Sequence, residues 1–146
     1  TKRGRAMDFE TISAEDFGAG LRGLGLNILV RDVAVSGAFL KAVFDMEIHR
    51  RSADFAIVTY GTQVFQLHAD HTYAGHPLQE MLPELPPRGL GLEIRLYDSD
   101  PDAAGARAEA AGGMVLAGPQ DKPHGLREVF VLDPDGYCWV ASRPKG

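Results

Sequence analysis

Cysteine is almost missing from this chain: Cys138 is the only one. That excludes an internal disulfide and any Cys-rich zinc site, and a reducing cytoplasm is the simplest setting for it. Lysine is scarce as well, with only Lys41 and Lys122 between positions 3 and 144. The arginines are scattered, the formal net charge is −5 and the isoelectric point is near 5.5. Nucleic-acid affinity comes largely from clustered cations that displace counterions, so no nucleic-acid partner is expected. Mild acidity favours a cationic or amine-bearing ligand instead. No apolar run approaches the roughly 20 residues that cross a bilayer, so no membrane partner is expected. No secretory signal opens the sequence, whose basic start, Thr1–Ala6, precedes a candidate initiator, Met7.

What is present suits one globular domain. The 146 residues are 45% hydrophobic and 24% charged, with a mean hydropathy of −0.14. A chain of this size buries roughly 68–70% of its extended surface and needs no metal or disulfide to fold.

The chain repeats itself. Residues 22–32 read RGLGLNILVRD and residues 88–98 read RGLGLEIRLYD, seven of eleven identical at a constant offset of 66. In both copies the aliphatics alternate, Leu26, Ile28, Val30 and then Leu92, Ile94, Leu96, which predicts a strand with one face on a core. A helix should follow each strand. Val35, Phe39, Val43 and Met46 recur at helical spacing in the first copy. In the second, Asp100 is a good N-cap, Pro101 suits the first helical position and Gly112-Gly113 ends the element. Strand pairs come next: 54–60 and 63–68 around Gly61-Thr62, then 127–132 and 137–141 around Asp133-Pro134-Asp135-Gly136. Each module therefore reads βαβββ, with its weakest strands near 47–51 and 114–117. Module one spans 22–70, a connector 71–87, and module two 88–143. The extension 1–21 should hold a short helix capped by Ser13.

These residues, Asn27–Asp32 with Phe39 following, and His124-Gly125-Leu126-Arg127-Glu128 leading into the Asp133–Tyr137 turn, resemble the vicinal oxygen chelate superfamily. That superfamily includes glyoxalase I, bleomycin-resistance proteins and extradiol dioxygenases. The resemblance implies an α+β fold in which two tandem βαβββ modules form a curved mixed sheet around a cleft, usually within a homodimer. It does not imply a reaction, because one scaffold hosts many chemistries. Family members normally hold a divalent metal on the first and last strand of each module. Carried over, the His position falls on Gly25 and its duplicate on Gly91, and the Glu position four beyond Gly136 falls on Val140. The remaining position falls at about Gln66. Glycine and valine offer no donor, so no metal and no cofactor is expected. The alternative is a metal-dependent lyase or dioxygenase with relocated ligands, His68 with Glu93 or Glu128.

Alternation and the family's register assign the cleft face to Asn27, Leu29, Gln66, His68, Glu93, Arg95, Glu128 and Phe130, which are the expected ligand-binding residues. The leading expectation is a small-molecule binder resembling the bleomycin-resistance proteins, with Glu93 and Glu128 receiving a cationic ligand. His68 and Glu128 are the candidates for catalytic acid–base groups, should a reaction occur without a metal. Each has a plainer role available: a wet strand face for Glu93 and Arg95, a surface pair of at most about 1 kcal/mol for Arg127 and Glu128, a wall residue for His68. His68, His71 and His76 lack metal-site spacing, Asp133 and Asp135 belong to a turn, and Cys138 has no neighbour to activate it.

Overall fold

The computed structural model describes residues 8–146; Thr1–Met7, and with them the candidate initiator, lie outside the described residues. Helix α1 (Ala14–Gly20) opens it, with the Ser13 hydroxyl accepting from the Asp16 N–H at 3.0 Å. Module one runs β1 (Asn27–Val30), α2 (Val33–Phe44), β2 (Glu47–His49), β3 (Phe55–Tyr60) and β4 (Gln63–Ala69). The connector forms a 3-10 turn, Asp70–Tyr73, and the short helix α3 (Pro77–Met81). Module two runs β5 (Gly89–Leu96), α4 (Pro101–Arg107), β6 (Met114–Asp121), β7 (Leu126–Leu132) and β8 (Tyr137–Pro144). No helix is long and apolar enough to cross a membrane, among the described residues.

The eight strands make two four-stranded mixed sheets, β1-β4-β3-β2 and β5-β8-β7-β6, with identical wiring. In each, the first strand pairs in parallel with the last and lies at the sheet edge. Asp32 and Asp100 follow those first strands and cap the helices, accepting from Val35 N–H at 3.1 Å and from Asp102 and Ala103 N–H at 3.0 and 3.1 Å. The apolar face of α2 carries Val33, Phe39, Leu40, Val43 and Phe44, all buried, whereas Val35 points outward and is 48% exposed.

Strand polarity follows the alternation. Ile28, Val30, Phe65 and Leu67 of sheet one and Leu96, Val129, Val131, Trp139 and Ala141 of sheet two belong to a single core, with Leu26 and Ile94 packed against it. Leu92 does not join them. A register irregularity between Gly89 and Glu93 breaks the alternation, leaving Leu92 54% exposed. Trp139 of sheet two sits 5.7 Å from Phe65 of sheet one and 5.9 Å from Phe44 of α2, ring centre to ring centre. The helix-side faces of both sheets thus meet in one core, and their other faces point away from each other.

The Asp133–Gly136 turn locks the modules. Asp133 accepts from the Trp139 indole N–H (2.9 Å) and from the backbone of Asp135 and Tyr137. Asp135 pairs with Arg31 at 2.5 Å, and Arg31 also reaches the Pro134 carbonyl. Gly136, at φ 84°, backs onto the connector so closely that a Cβ would stand 2.4 Å from Pro87 Cα. Arg88 grips Asp70 through two hydrogen bonds of 2.8 and 2.7 Å.

Candidate functional site

The outward face of sheet two is built by period-two alternation along β5, β8 and β7. Cross-strand pairs Glu93/Cys138, Arg95/Val140, Phe130/Val140 and Glu128/Ser142 line it. Arg95 reaches across it from the edge strand β5 to Glu128 of β7. One guanidinium nitrogen donates to Glu93 Oε1 at 2.8 Å and another to Glu128 Oε2 at 2.5 Å, while Cζ stands 5.7 Å from the centre of the Tyr97 ring. Burial opposes the charge on Arg95, but the bonds to Glu128 and Glu93 outweigh it and hold the guanidinium above its ordinary pKa. Glu128 is only 3% exposed, and an ion that deep persists only when paired. His124 approaches the same oxygen at 3.6 Å from the solvent side. Val140 is fully buried and Phe130 partly so, giving the charged groups an apolar floor. Burial pushes the Cys138 thiol up, which makes it a poor nucleophile. The surface pair expected between Arg127 and Glu128 does not form: Arg127 binds Asp102 (2.7 and 2.9 Å) and Asp121 (3.2 Å) instead.

The outward face of sheet one carries Asn27, Val64, Gln66 and His68. The Gln66 amide oxygen lies 3.0 Å from His68 Nε2. His68 is wedged between Phe55 and Tyr73, at 5.2 and 5.7 Å, and Tyr73 continues to His76. Leu29 lies beneath at 4% exposure, so this expected ligand contact serves as floor. The chain covers part of this face itself: Phe17 of α1 lies edge-on to Phe55, and Phe9 packs on Phe17 and His49. The strip left open is Asn27 with Gln66 and Val64, beside the β1 edge.

Strand pairing also corrects one position. Leu29 pairs with His68 and Arg95 with Val140, and Leu29 and Arg95 are counterparts in the repeat. His68, rather than Gln66, is therefore the module-one counterpart of Val140. Burial lowers the His68 pKa below its usual 6.5, so the folded state favours the neutral ring. Stability that depends on neutral His68 is present above the unfolded-state value and drains as pH falls below about 6.5. Melting curves between pH 7.5 and 5 should show a shallower acid loss in His68→Gln than in the parent; identical slopes would refute this role.

The remaining candidates disperse. His71 bonds Asp54 at 2.6 Å and His76 accepts from Leu78 N–H, so neither joins His68 in a ligand set. His68 and Glu128 sit on faces that point apart, so a relocated metal pair between them does not form within one chain. Among the described residues no group of three or more His, Cys, Asp or Glu comes together to hold an ion. Of the four strand positions used for metal in the resembled family, only His68 supplies a donor; Gly25 and Gly91 face open space and Val140 is hydrocarbon. One imidazole does not make a transition-metal centre, so the residues present do not fit the group. Sequence reasoning missed His124, Tyr97 and Tyr73 as neighbours of these faces. All three lie at strand ends or in the connector, beyond the reach of alternation.

The Glyoxalase/Bleomycin resistance protein/Dioxygenase superfamily model matches residues 24–141. No curated protein matches the sequence. Among solved structures, a glyoxalase/bleomycin resistance protein/dioxygenase family enzyme from Burkholderia phytofirmans PsJN superposes with a TM-score of 0.68 at 19% identity, covering 83% of this chain and 97% of its own. Hypothetical protein SA1046 from S. aureus gives 0.68 at 20%, covering 88% and 98%. TioX from Micromonospora sp. ML1 gives 0.62 at 22%, covering 85% and 99%. At such identities the likeness concerns the fold, while the family match spans most of the sequence. The chain belongs to the Glyoxalase/Bleomycin resistance protein/Dioxygenase superfamily.

Proposed function

We propose that the protein binds a small amine-bearing molecule in a cleft completed by a second copy of the chain, without the family's usual metal. The observation that carries this reading is the outward face of sheet two. Two carboxylates, Glu93 and Glu128, flank one guanidinium, leaving a single negative charge over an apolar floor of Val140 and Phe130. Mostly apolar walls with a few fixed polar groups are what small-ligand sites require.

Three features of the geometry support a second copy. Each outward face is half a cleft, and the two halves of one chain point apart. Both first strands are open sheet edges, and the apolar residues near them are exposed, Leu24 fully, Leu90 at 63% and Leu92 at 54%. An isologous pair would bring the sheet-one face of one protomer against the sheet-two face of its partner and cover these side chains. The ligand would then meet Arg95 and Glu93 from one protomer and Asn27 and Gln66 from the other.

Calorimetric titration with size-matched amines and carboxylic acids tests the reading. Saturable binding is expected for amines alone, in a species sedimenting at twice the 15.8 kDa chain mass. Leu92→Glu, which charges the exposed edge, should halve that mass and abolish binding. A monomeric parent protein, or equal binding of acids, would overturn it.

A further inference from the structure

A groove of about 420 Å³ opens at the far rim of sheet one, lined by Glu10, Lys41, Ile48, Arg50 and Arg51. It shares no residue with the cleft faces described above. Its construction is local. Ile48 seats against α2 at Gly37, where an added Cβ would meet Ile48 Cγ2 at 3.4 Å, an ordinary van der Waals contact. That contact brings Lys41, one helical turn further on, beside the end of β2. The strand stops at His49, and Arg50 turns into the left-handed region at φ 49°. Arg50 is tied there: its N–H donates to Glu10 Oε1 at 2.9 Å and its guanidinium to the Ile12 carbonyl.

Three cations therefore line one groove in a chain whose net charge is −5. Glu10, the only acid in the lining, is already engaged, one oxygen by the Arg50 N–H and the other 3.6 Å from His49 Nδ1. Among the described residues Lys41, Arg50 and Arg51 form no salt bridge, as Arg22, Arg107, Lys122 and Lys145 also do not, and the first three share one groove. Residues 1–7 contain no Asp or Glu that could supply a partner. A cluster of unneutralised cations around a fixed guanidinium favours an anion with several oxygens, and planar arginine forks match phosphoryl geometry. The volume lies within the range of small-ligand sites.

We propose that this groove binds a small phosphorylated anion, with Lys41 and Arg51 contacting its phosphoryl oxygens and Arg50 providing a fixed third charge. Binding here is independent of the amine cleft, because no lining residue is shared. Titration of the full chain with inorganic phosphate and with pyrophosphate should show saturable binding, tighter for pyrophosphate and weakened by added salt. The double variant Lys41→Ala/Arg51→Ala removes two exposed side chains and should melt close to the parent temperature while weakening pyrophosphate binding by about tenfold or more. Arg107→Ala/Lys145→Ala deletes the same charge from other exposed positions and should leave affinity unchanged. No saturable binding at millimolar pyrophosphate, or equal losses in the two double variants, would overturn the site.

Discussion

Trp139→Ala is expected to cost about 4 kcal/mol of folding stability, the range of large aromatic deletions from a close-packed core. The indole is 1% exposed and bridges the modules, touching Phe65 of sheet one and Phe44 of α2. Truncation opens a cavity where the two sheets meet, and neither sheet can close it without breaking its own register. It also removes the indole N–H from Asp133. Burial raises the pKa of that carboxyl, its bonds to Trp139, Tyr137 and Asp135 partly offsetting the effect, so losing a donor leaves it less well satisfied. For a chain of this length the melting temperature should fall by more than about 10 °C. Trp139→Phe keeps most of the apolar volume and loses the hydrogen bond, for a smaller cost of about 1–2 kcal/mol. If Trp139→Ala melts within a degree or two of the parent, the shared core is wrong.

Arg95→Met should give the second large effect. It leaves the Glu128 carboxylate, 3% exposed, with only the half-exposed His124 for company. Removing one partner of a buried pair costs about 3–5 kcal/mol, and the partial exposure of Arg95 trims this to about 2–3. The double change Arg95→Met/Glu128→Gln removes both charges and should restore most of the loss at neutral pH. Denaturant titrations of the parent, Arg95→Met, Glu128→Gln and the double variant at pH 7.5 measure this coupling; a double variant no more stable than Arg95→Met would contradict it. Amine binding should fall in Arg95→Met as well, since the guanidinium fixes both carboxylates.

Much of this was legible in the residues, and the failures have physical causes. Alternation found the core side of Ile28, Val30, Phe65, Leu67, Ile94 and Leu96, because each strand is buried on one face by a helix. It failed at Leu92, where a local irregularity shifts the period. The family carry-over placed the module-one counterpart of Val140 at about Gln66 and not His68, because register across a parallel pair is decided by tertiary pairing that no single strand encodes. The repeat itself misleads at Arg22 and Arg88. Arg22 donates to the Ala19 and Leu21 carbonyls at the end of α1, whereas Arg88 clamps Asp70. Identical residues in duplicated lead-ins took up different duties once the surroundings diverged. The self-covering by Phe9 and Phe17 was hidden for a similar reason, since nothing in a short amphipathic segment names the face it will lie on.

The site reading depends most on what stands at Gly25, Gly91 and Val140. Those positions direct no donor toward the cleft, and His68 alone cannot replace them. Elemental analysis of protein purified without chelator, then dialysed against nickel, zinc, manganese and iron, is the most direct measurement. A metal-independent cleft predicts no transition metal approaching one ion per chain, and amine binding unchanged by chelator. Near-stoichiometric metal that disappears in His68→Gln would contradict it.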